Sequence, residues 1–283
     1  MHIGSHATVT GGLATGGLAY ADAVAAEVIQ VFASNPRGWA ASAGDPRQDA
    51  RLRESGLPVF IHAPYLINLG AGGKVTAAKS AQAVAHALRR GREIGARGVV
   101  VHTGSATGQD RDRALRQVAE LLLPVLAILN EDDPELLLEP MAGQGQMLCA
   151  GAAELEPYLD ALERHPKVGV CLDTCHLFAA GHDLTKPGGV AETLAEVERA
   201  AGPGRVKLVH ANDSQLGLGS KRDRHETIGK GEIGVEPFRE LLSHPALKDV
   251  PFVVETPGGK SGHARDVALL KDLRDAQKFR APG

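Results

Sequence analysis

What most constrains the fold of this chain is an alternation that runs its whole length. Short β-branched or apolar runs recur at 3–6, 28–33, 57–62, 98–102, 135–139, 168–173, 205–211 and 251–256, and each reads as a strand. Between them, 76–94, 111–130, 152–164, 190–201, 235–242 and 263–278 carry helical spacing, with a weaker Gly-rich helix at 11–26. Strands separated by helices lie parallel, so eight repeats predict an α/β fold, a (β/α)8 TIM barrel formed as a single domain over residues 1–283. An open doubly wound sheet would place a Gly-x-Gly-x-x-Gly phosphate turn early in the chain. The Gly-rich GGLATGGLAY does not match it.

Barrel active sites lie at the carboxyl ends of the strands, so the residues at those ends matter most. Strand one ends in His6, three in His62, four in His102, five in Glu139, six in Asp173, seven in His210 and eight in Glu255. Twelve histidines and 34 acidic residues make about one residue in six, so eight fixed positions should hold one or two, against the seven found. Imidazoles mixed with carboxylates suit zinc, manganese or iron. Two loops add to the set. CLDTCH puts Asp173 and His176 three apart, and GSKRDRHETIGKG puts Asp223 and His225 two apart, a spacing that aims both side chains to one side of an extended backbone. The nine candidate ligands are His62, His102, Glu139, Asp173, His176, His210, Asp223, His225 and Glu255. One tetrahedral ion needs only four, so the tally predicts two or three metals sharing a carboxylate.

A single strand-end histidine is more often a hydrogen-bonded core residue, and it is the convergence that favours metal. His6 is read as supporting a ligand rather than binding metal. His2, His86, His165, His182, His244 and His263 are read as surface or capping residues, and Cys171 and Cys175 as small buried hydrophobes.

Composition limits the partners. With 43% hydrophobic and 23% charged residues, disordered, collagen-like and coiled-coil classes are excluded. The apolar stretch 121–128 is broken by Pro124 and falls short of the ~20 residues that cross a bilayer, so no membrane partner is expected. Neither an export signal in MHIGSHATVT nor a CxxC pair among Cys149, Cys171 and Cys175 is present, which points to the reducing cytoplasm. A net charge of −3 offers no basic field to a polyanion unless metal ions supply one.

The motifs IHAPYLINLG, VVHTGS, LEPMAGQG, VCLDTCHLFAAGHDL, LVHANDS, GSKRDRHETIGKGEIG and VVETPG occur in this order across nearly the whole chain. Together they closely resemble the endonuclease IV family of apurinic/apyrimidinic DNA-repair endonucleases. The resemblance implies three zinc ions. His62, His102 and Glu139 would hold the first, Glu139, Asp173, His210 and Glu255 the second, and His176, Asp223 and His225 the third. It further implies incision 5′ to an abasic nucleotide of duplex DNA in base excision repair, by a monomer that leaves a 3′-hydroxyl and a 5′-deoxyribose phosphate. Glu139, Asp173 and Glu255 would serve the reaction directly. Arg37, beside Trp39, resembles the residue that enters the DNA stack, and Tyr65 and Leu66 the pair that wedges from the other side. Arg222, Arg224 and Lys230 are expected at phosphates. The chain departs from the family pattern at Pro64, Ala106 and Met141, none of them a ligand. A sugar isomerase or epimerase on the same barrel would need fewer ligands, and a non-catalytic damage-binding protein would not need Glu139 and Glu255.

Overall fold

In a computed structural model, which describes residues 1–278, eight parallel strands close into a barrel. They are β1 (Ile3–His6), β2 (Ile29–Val31), β3 (Val59–His62), β4 (Gly98–His102), β5 (Glu135–Glu139), β6 (Val168–Asp173), β7 (Val206–His210) and β10 (Phe252–Val254). The loop after β7 carries a small antiparallel ribbon, β8 (Asp213–Ser214) with β9 (His225–Glu226). Around the barrel stand α1 (Leu13–Ala23), α2 (Pro46–Glu54), α3 (Lys74–Ile94), α4 (Arg111–Leu126), α5 (Leu155–Ala161), α6 (Thr174–Ala180), α7 (Gly189–Ala201), α8 (Glu236–Ser243) and α9 (Gly259–Lys278). The expected barrel is therefore present. Residues 279–283 of the expected domain lie outside the described residues.

Several boundaries differ, each for a physical reason. The strand expected at 28–33 pairs only over Ile29–Val31, and those at 205–211 and 251–256 also shorten at both ends. The helix expected over 152–164 becomes a 3-10 turn followed by α5, and the left-handed backbone of Glu163 and Arg164 bars its extension. Two helices were not foreseen. In α2 only Asp49 and Leu52 are buried, too thin a stripe to show periodicity, although Asp45 caps it through Arg47 N–H and Pro46 opens it. In α6 every residue from Thr174 to Ala179 is buried, which erases the amphipathic pattern.

The barrel interior is layered. Val28, Phe60, Val100, Leu137, Cys171, Leu208 and Val253 form an apolar cluster of their own, separate from the larger core between strands and helices. Side chains along a strand alternate faces, so the residue two positions on points the same way. Those residues are Gln30, His62, His102, Glu139, Asp173, His210 and Glu255. On β1 the corresponding pair is Gly4 and His6, where a side chain is barred at Gly4: a Cβ there would lie 1.7 Å from the Val28 carbonyl oxygen. The apolar plug thus supports a polar ring facing the loops.

Candidate metal centre

The polar ring and the loop after β7 bring all nine expected ligands together. His62, His102 and Glu139 offer ligand atoms within 4.8 Å of one another, as do Asp173, His210 and Glu255, and likewise His176, Asp223 and His225. Glu139 divides its oxygens between neighbours. Oε2 lies 3.3 Å from His62 Nε2 and 3.5 Å from His102 Nε2, while Oε1 lies 3.2 Å from His210 Nδ1. Asp223 does the same on its loop, with Oδ2 3.2 Å from His176 Nε2 and Oδ1 3.1 Å from His225 Nε2. Asp173 caps α6 by accepting the N–H of His176 through Oδ1, which places His176 one turn above it, and its Oδ2 lies 3.3 Å from His225 Nε2.

The far ring nitrogens show which face of each imidazole is a lone pair. His62 Nδ1–H donates to Ala63 O at 2.7 Å and His176 Nδ1–H to Pro140 O at 3.0 Å, while His225 Nδ1 faces Glu255 O at 3.4 Å. Their Nε2 atoms are then free to bind metal, and carbonyls behind a ligand histidine are the usual means of fixing its tautomer. His210 is turned round: Nε2–H donates to Gln30 Oε1 at 2.8 Å, and Nδ1 faces the carboxylates of Glu139, Glu255 and Asp173. Glu139 Oε2, His176 Nε2 and His225 Nε2 are buried and have no hydrogen-bond partner among the described residues. A ring nitrogen facing a carboxylate oxygen in a buried site needs a cation between them, a proton in the metal-free chain or a metal ion in the loaded one. Donors ~2.0–2.1 Å from a tetrahedral zinc stand about 3.3 Å apart, which matches the nitrogen–oxygen separations of 3.1–3.5 Å found here. The residues fit the ions.

Electrostatics agree. Burial pushes His102 down to about 4, leaving it neutral at physiological pH. Burial also opposes a charge on His176, but the carboxylates of Asp173, Asp223 and Glu139 outweigh it and raise the group to about 9. Against the same burial, neighbouring imidazoles hold Glu139, Asp173, Asp223 and Glu255 below the usual carboxylate range. Four carboxylates kept ionised, Glu139 and Asp173 buried and Asp223 and Glu255 half-buried, form a cation trap, with protons standing where metal would bind.

Three partners of the set were not foreseen. Gln30 lies inside the ring because β2 ends at Val31 rather than 33, and a polar residue amid Val28, Ile29 and Val31 was the available signal. Asn212 Nδ2 donates to Asp173 Oδ2 and its Oδ1 accepts the Glu255 N–H, each at 2.8 Å, tying two carboxylate-bearing strand ends together. The carboxylate of Asp213 accepts five backbone N–H groups, from Ser214, Gly229, Gly231, Ile233 and Gly234, and so shapes the loop beyond His225. His6 Nδ1 touches Glu255 Oε1 at 3.1 Å behind the ring. Cys171 and Cys175 are fully buried, and burial pushes both thiols up to about 12. Cys175 Sγ nonetheless comes near Asp173 and His225. Two histidines read as surface or capping residues are instead buried: His263 between the Tyr20 hydroxyl and Thr256 O, and His86 on the inner face of α3 beside Arg89.

The expected DNA-contacting residues occupy loops on the same rim. Arg37, Tyr65, Leu66, Arg222, Arg224 and Lys230 are all exposed. The Tyr65 ring leans on Phe32, His62 and His102, with centroids 5.2–5.8 Å away, and is 48% exposed, so it projects from the ring of ligands into solvent. Leu218, 47% exposed between two glycines, joins this rim and was not foreseen. Its loop is pinned to α6 through the N–H groups of Gly219 and Lys221.

Comparison with known proteins gives a consistent picture. The family described as xylose isomerase-like TIM barrel matches residues 18–273. A probable endonuclease 4 of Streptomyces avermitilis is 57% identical over 96% of this chain and 90% of its own length. One of Chloroflexus aurantiacus is 38% identical over 95% and 97%. The crystal structure of endonuclease IV from Thermus thermophilus superposes with a TM-score of 0.86 at 34% identity, covering 98% of this chain and 100% of that one. A D-tagatose 3-epimerase-like protein, 18% identical with a TM-score of 0.74, shares the barrel.

Proposed function

The chain belongs to the endonuclease IV family and is an apurinic/apyrimidinic endonuclease, and we propose that it hydrolyses the phosphodiester bond 5′ to an abasic site through three zinc ions held by nine side chains of this barrel. The observation that carries this reading is the convergence of five imidazoles and four carboxylates at separations matching the edges of zinc coordination spheres, with buried ring nitrogens turned toward carboxylate oxygens. His62, His102 and Glu139 hold one ion, Glu139, Asp173, His210 and Glu255 a second, and His176, Asp223 and His225 a third. Bound there, the ions activate water at neutral pH and neutralise charge on the phosphate and the leaving oxygen.

The protein's own groups account for the rest. Glu139 aims its two carboxylate oxygens at different sets of imidazoles, which suits it to bridge the first two sites. Asp223 and His225 lie between strands of the barrel on a loop of their own, so the third site can meet a different oxygen of the phosphate. Four carboxylates with three dications leave the centre with a charge of about +2, which attracts a phosphate where the chain as a whole, at −3, would repel it. Arg37, Tyr65 and Leu66 enter the duplex, and Arg222, Arg224 and Lys230 contact phosphates without reading sequence. Wedging a duplex costs a few kcal/mol, least where a base is already missing, so insertion itself selects abasic sites. Every side chain of the set comes from one chain, so the centre needs no residue from a second copy. Cys149, Cys171 and Cys175 are free thiols, which supports a cytoplasmic setting. No described helix is long and apolar enough to cross a membrane.

The end chemistry tests the reading. After incubation with a duplex holding one tetrahydrofuran abasic analogue, the upstream fragment should be extended directly by a DNA polymerase, because hydrolysis 5′ to the site leaves a 3′-hydroxyl. A fragment that must first be trimmed or dephosphorylated would contradict it.

A further inference from the structure

The eighth position of the polar ring holds neither histidine nor carboxylate, but it makes more contacts to the ring than a packing residue needs. Gln30 is fully buried. Its Oε1 faces His210 Nε2 at 2.8 Å, and its Nε2 faces Glu255 Oε1 at 2.5 Å and His6 Nδ1 at 3.0 Å. A side-chain amide has one acceptor oxygen and two N–H donors. The contacts to His210 and Glu255 are satisfied together in one orientation only: the oxygen takes the proton of His210 Nε2 and an amide hydrogen goes to Glu255, while His6 Nδ1 stands within reach of both the amide nitrogen and Glu255 Oε1. Flipping the amide would leave a donor facing His210 Nε2–H and an acceptor facing the Glu255 carboxylate.

That orientation explains why His210 departs from the other ligand histidines. His62 and His176 turn Nδ1–H toward main-chain carbonyls and present Nε2, whereas His210 presents Nδ1 to Glu139, Glu255 and Asp173. Behind His210 the Gln30 amide oxygen takes the place that a main-chain carbonyl takes for the other two. The same amide pulls on Glu255 Oε1 and leaves Oε2 directed at His210 Nδ1, 3.5 Å away. We propose that Gln30 is a positioning residue for the centre, fixing the tautomer of His210 and the rotamer of Glu255 so that both address the ion they share with Asp173. Gln30 sits below the ligands and acts through them. This inference rests on the metal-based reading above.

The test uses the full chain and three proteins: the parent, Gln30→Met, which keeps the volume and removes every hydrogen bond, and Gln30→Glu, which keeps an acceptor for His210 but sets a carboxylate against Glu255. Three readouts are taken: zinc retained per chain against a competing chelator, the visible absorption spectrum after loading with cobalt(II), and incision of an abasic duplex. Outer partners of metal ligands are typically worth roughly 10–100-fold in affinity or activity. Gln30→Met is expected to release one ion of the set at roughly 10–100-fold lower chelator concentration, to alter the cobalt spectrum, and to lower kcat with KM for DNA unchanged. Gln30→Glu should shift the spectrum differently, since it retains the contact to His210. The thermal midpoint of the metal-free proteins is recorded as well. A Gln30→Met protein with a lowered midpoint but parental cobalt spectrum, zinc retention and kcat would overturn the proposal and leave Gln30 as a packing residue. Failure of the metal-based reading looks different, because the parent itself would then bind no stoichiometric metal.

Discussion

The backbone N–H of Tyr65 donates to the carbonyl of Pro36 at 3.0 Å, which joins the loop after β3 to the loop after β2. The loops that carry Arg37 and Tyr65, distant in sequence, are therefore tied to each other above the ring, and the Tyr65 ring rests against His62 and His102. Removing either side chain leaves the tether, which is main chain, in place. Arg37→Ala and Tyr65→Ala are each expected to lower kcat/KM on abasic duplex about ten- to hundredfold, from stacking worth ~1–3 kcal/mol, with metal content unchanged. Steady-state kinetics paired with elemental analysis checks this; loss of zinc in Tyr65→Ala would make the residue structural.

Metal uptake should release protons. His176 in the metal-free chain is raised to about 9, and His225 is also raised, in both cases because nearby carboxylates outweigh burial. An imidazolium stabilises that form fully below its ordinary value near 6.5, and the stabilisation fades as pH climbs through about 9. A ligand imidazole must lose that proton, so zinc affinity rises with pH up to about 9. Calorimetry in buffers of different ionisation enthalpy at pH 7 should show more than one proton released per chain. Release of none would mean the histidines are not ligands.

Asp213 offers a stability test away from the ligands. Its carboxylate accepts five buried or half-buried N–H groups, and a Cβ on Gly231 would meet its Oδ1 at 2.5 Å. Asp213→Ala strands all five donors and is expected to cost about 3 kcal/mol or more of unfolding free energy. Denaturant titration of the metal-free proteins measures it. Because the loop continues from His225, the third site should also weaken.

The barrel and the convergence of the nine candidate side chains were legible in the sequence: a period of two on parallel strands puts six of them at strand ends, two residues beyond an apolar plug, and the other three follow close behind β6 and β7. The same rule would have found Gln30 had β2 been ended at Val31, but Phe32 and Ala33 extend the apolar run without pairing. Asn212 and Asp213 were hidden because their work is done by hydrogen bonds to main chain and to carboxylates distant in sequence. His263 looked like a helix-surface residue; its partners Tyr20 and Thr256 come from elsewhere in the chain. The helix α6 that sets His176 above Asp173 gave no periodic signal because it is buried all round.

Glu139 separates coordination from folding. Glu139→Gln keeps the shape but replaces the charged bridge with a neutral amide, and is expected to lower incision by about a hundredfold or more while the metal-free protein unfolds at nearly the parental midpoint. Single-turnover nicking and thermal denaturation together check it, and near-parental nicking would remove Glu139 from the reaction.

The central claim is that three cations in this ring perform the cut. One preparation, stripped stepwise with a strong chelator, is assayed at every step for metal per chain by elemental analysis and for nicking of a tetrahydrofuran-containing duplex. About three zinc ions per chain at the start, with activity falling as they leave and returning when zinc is restored, is the predicted result. Undiminished nicking by a chain stripped of metal would contradict it.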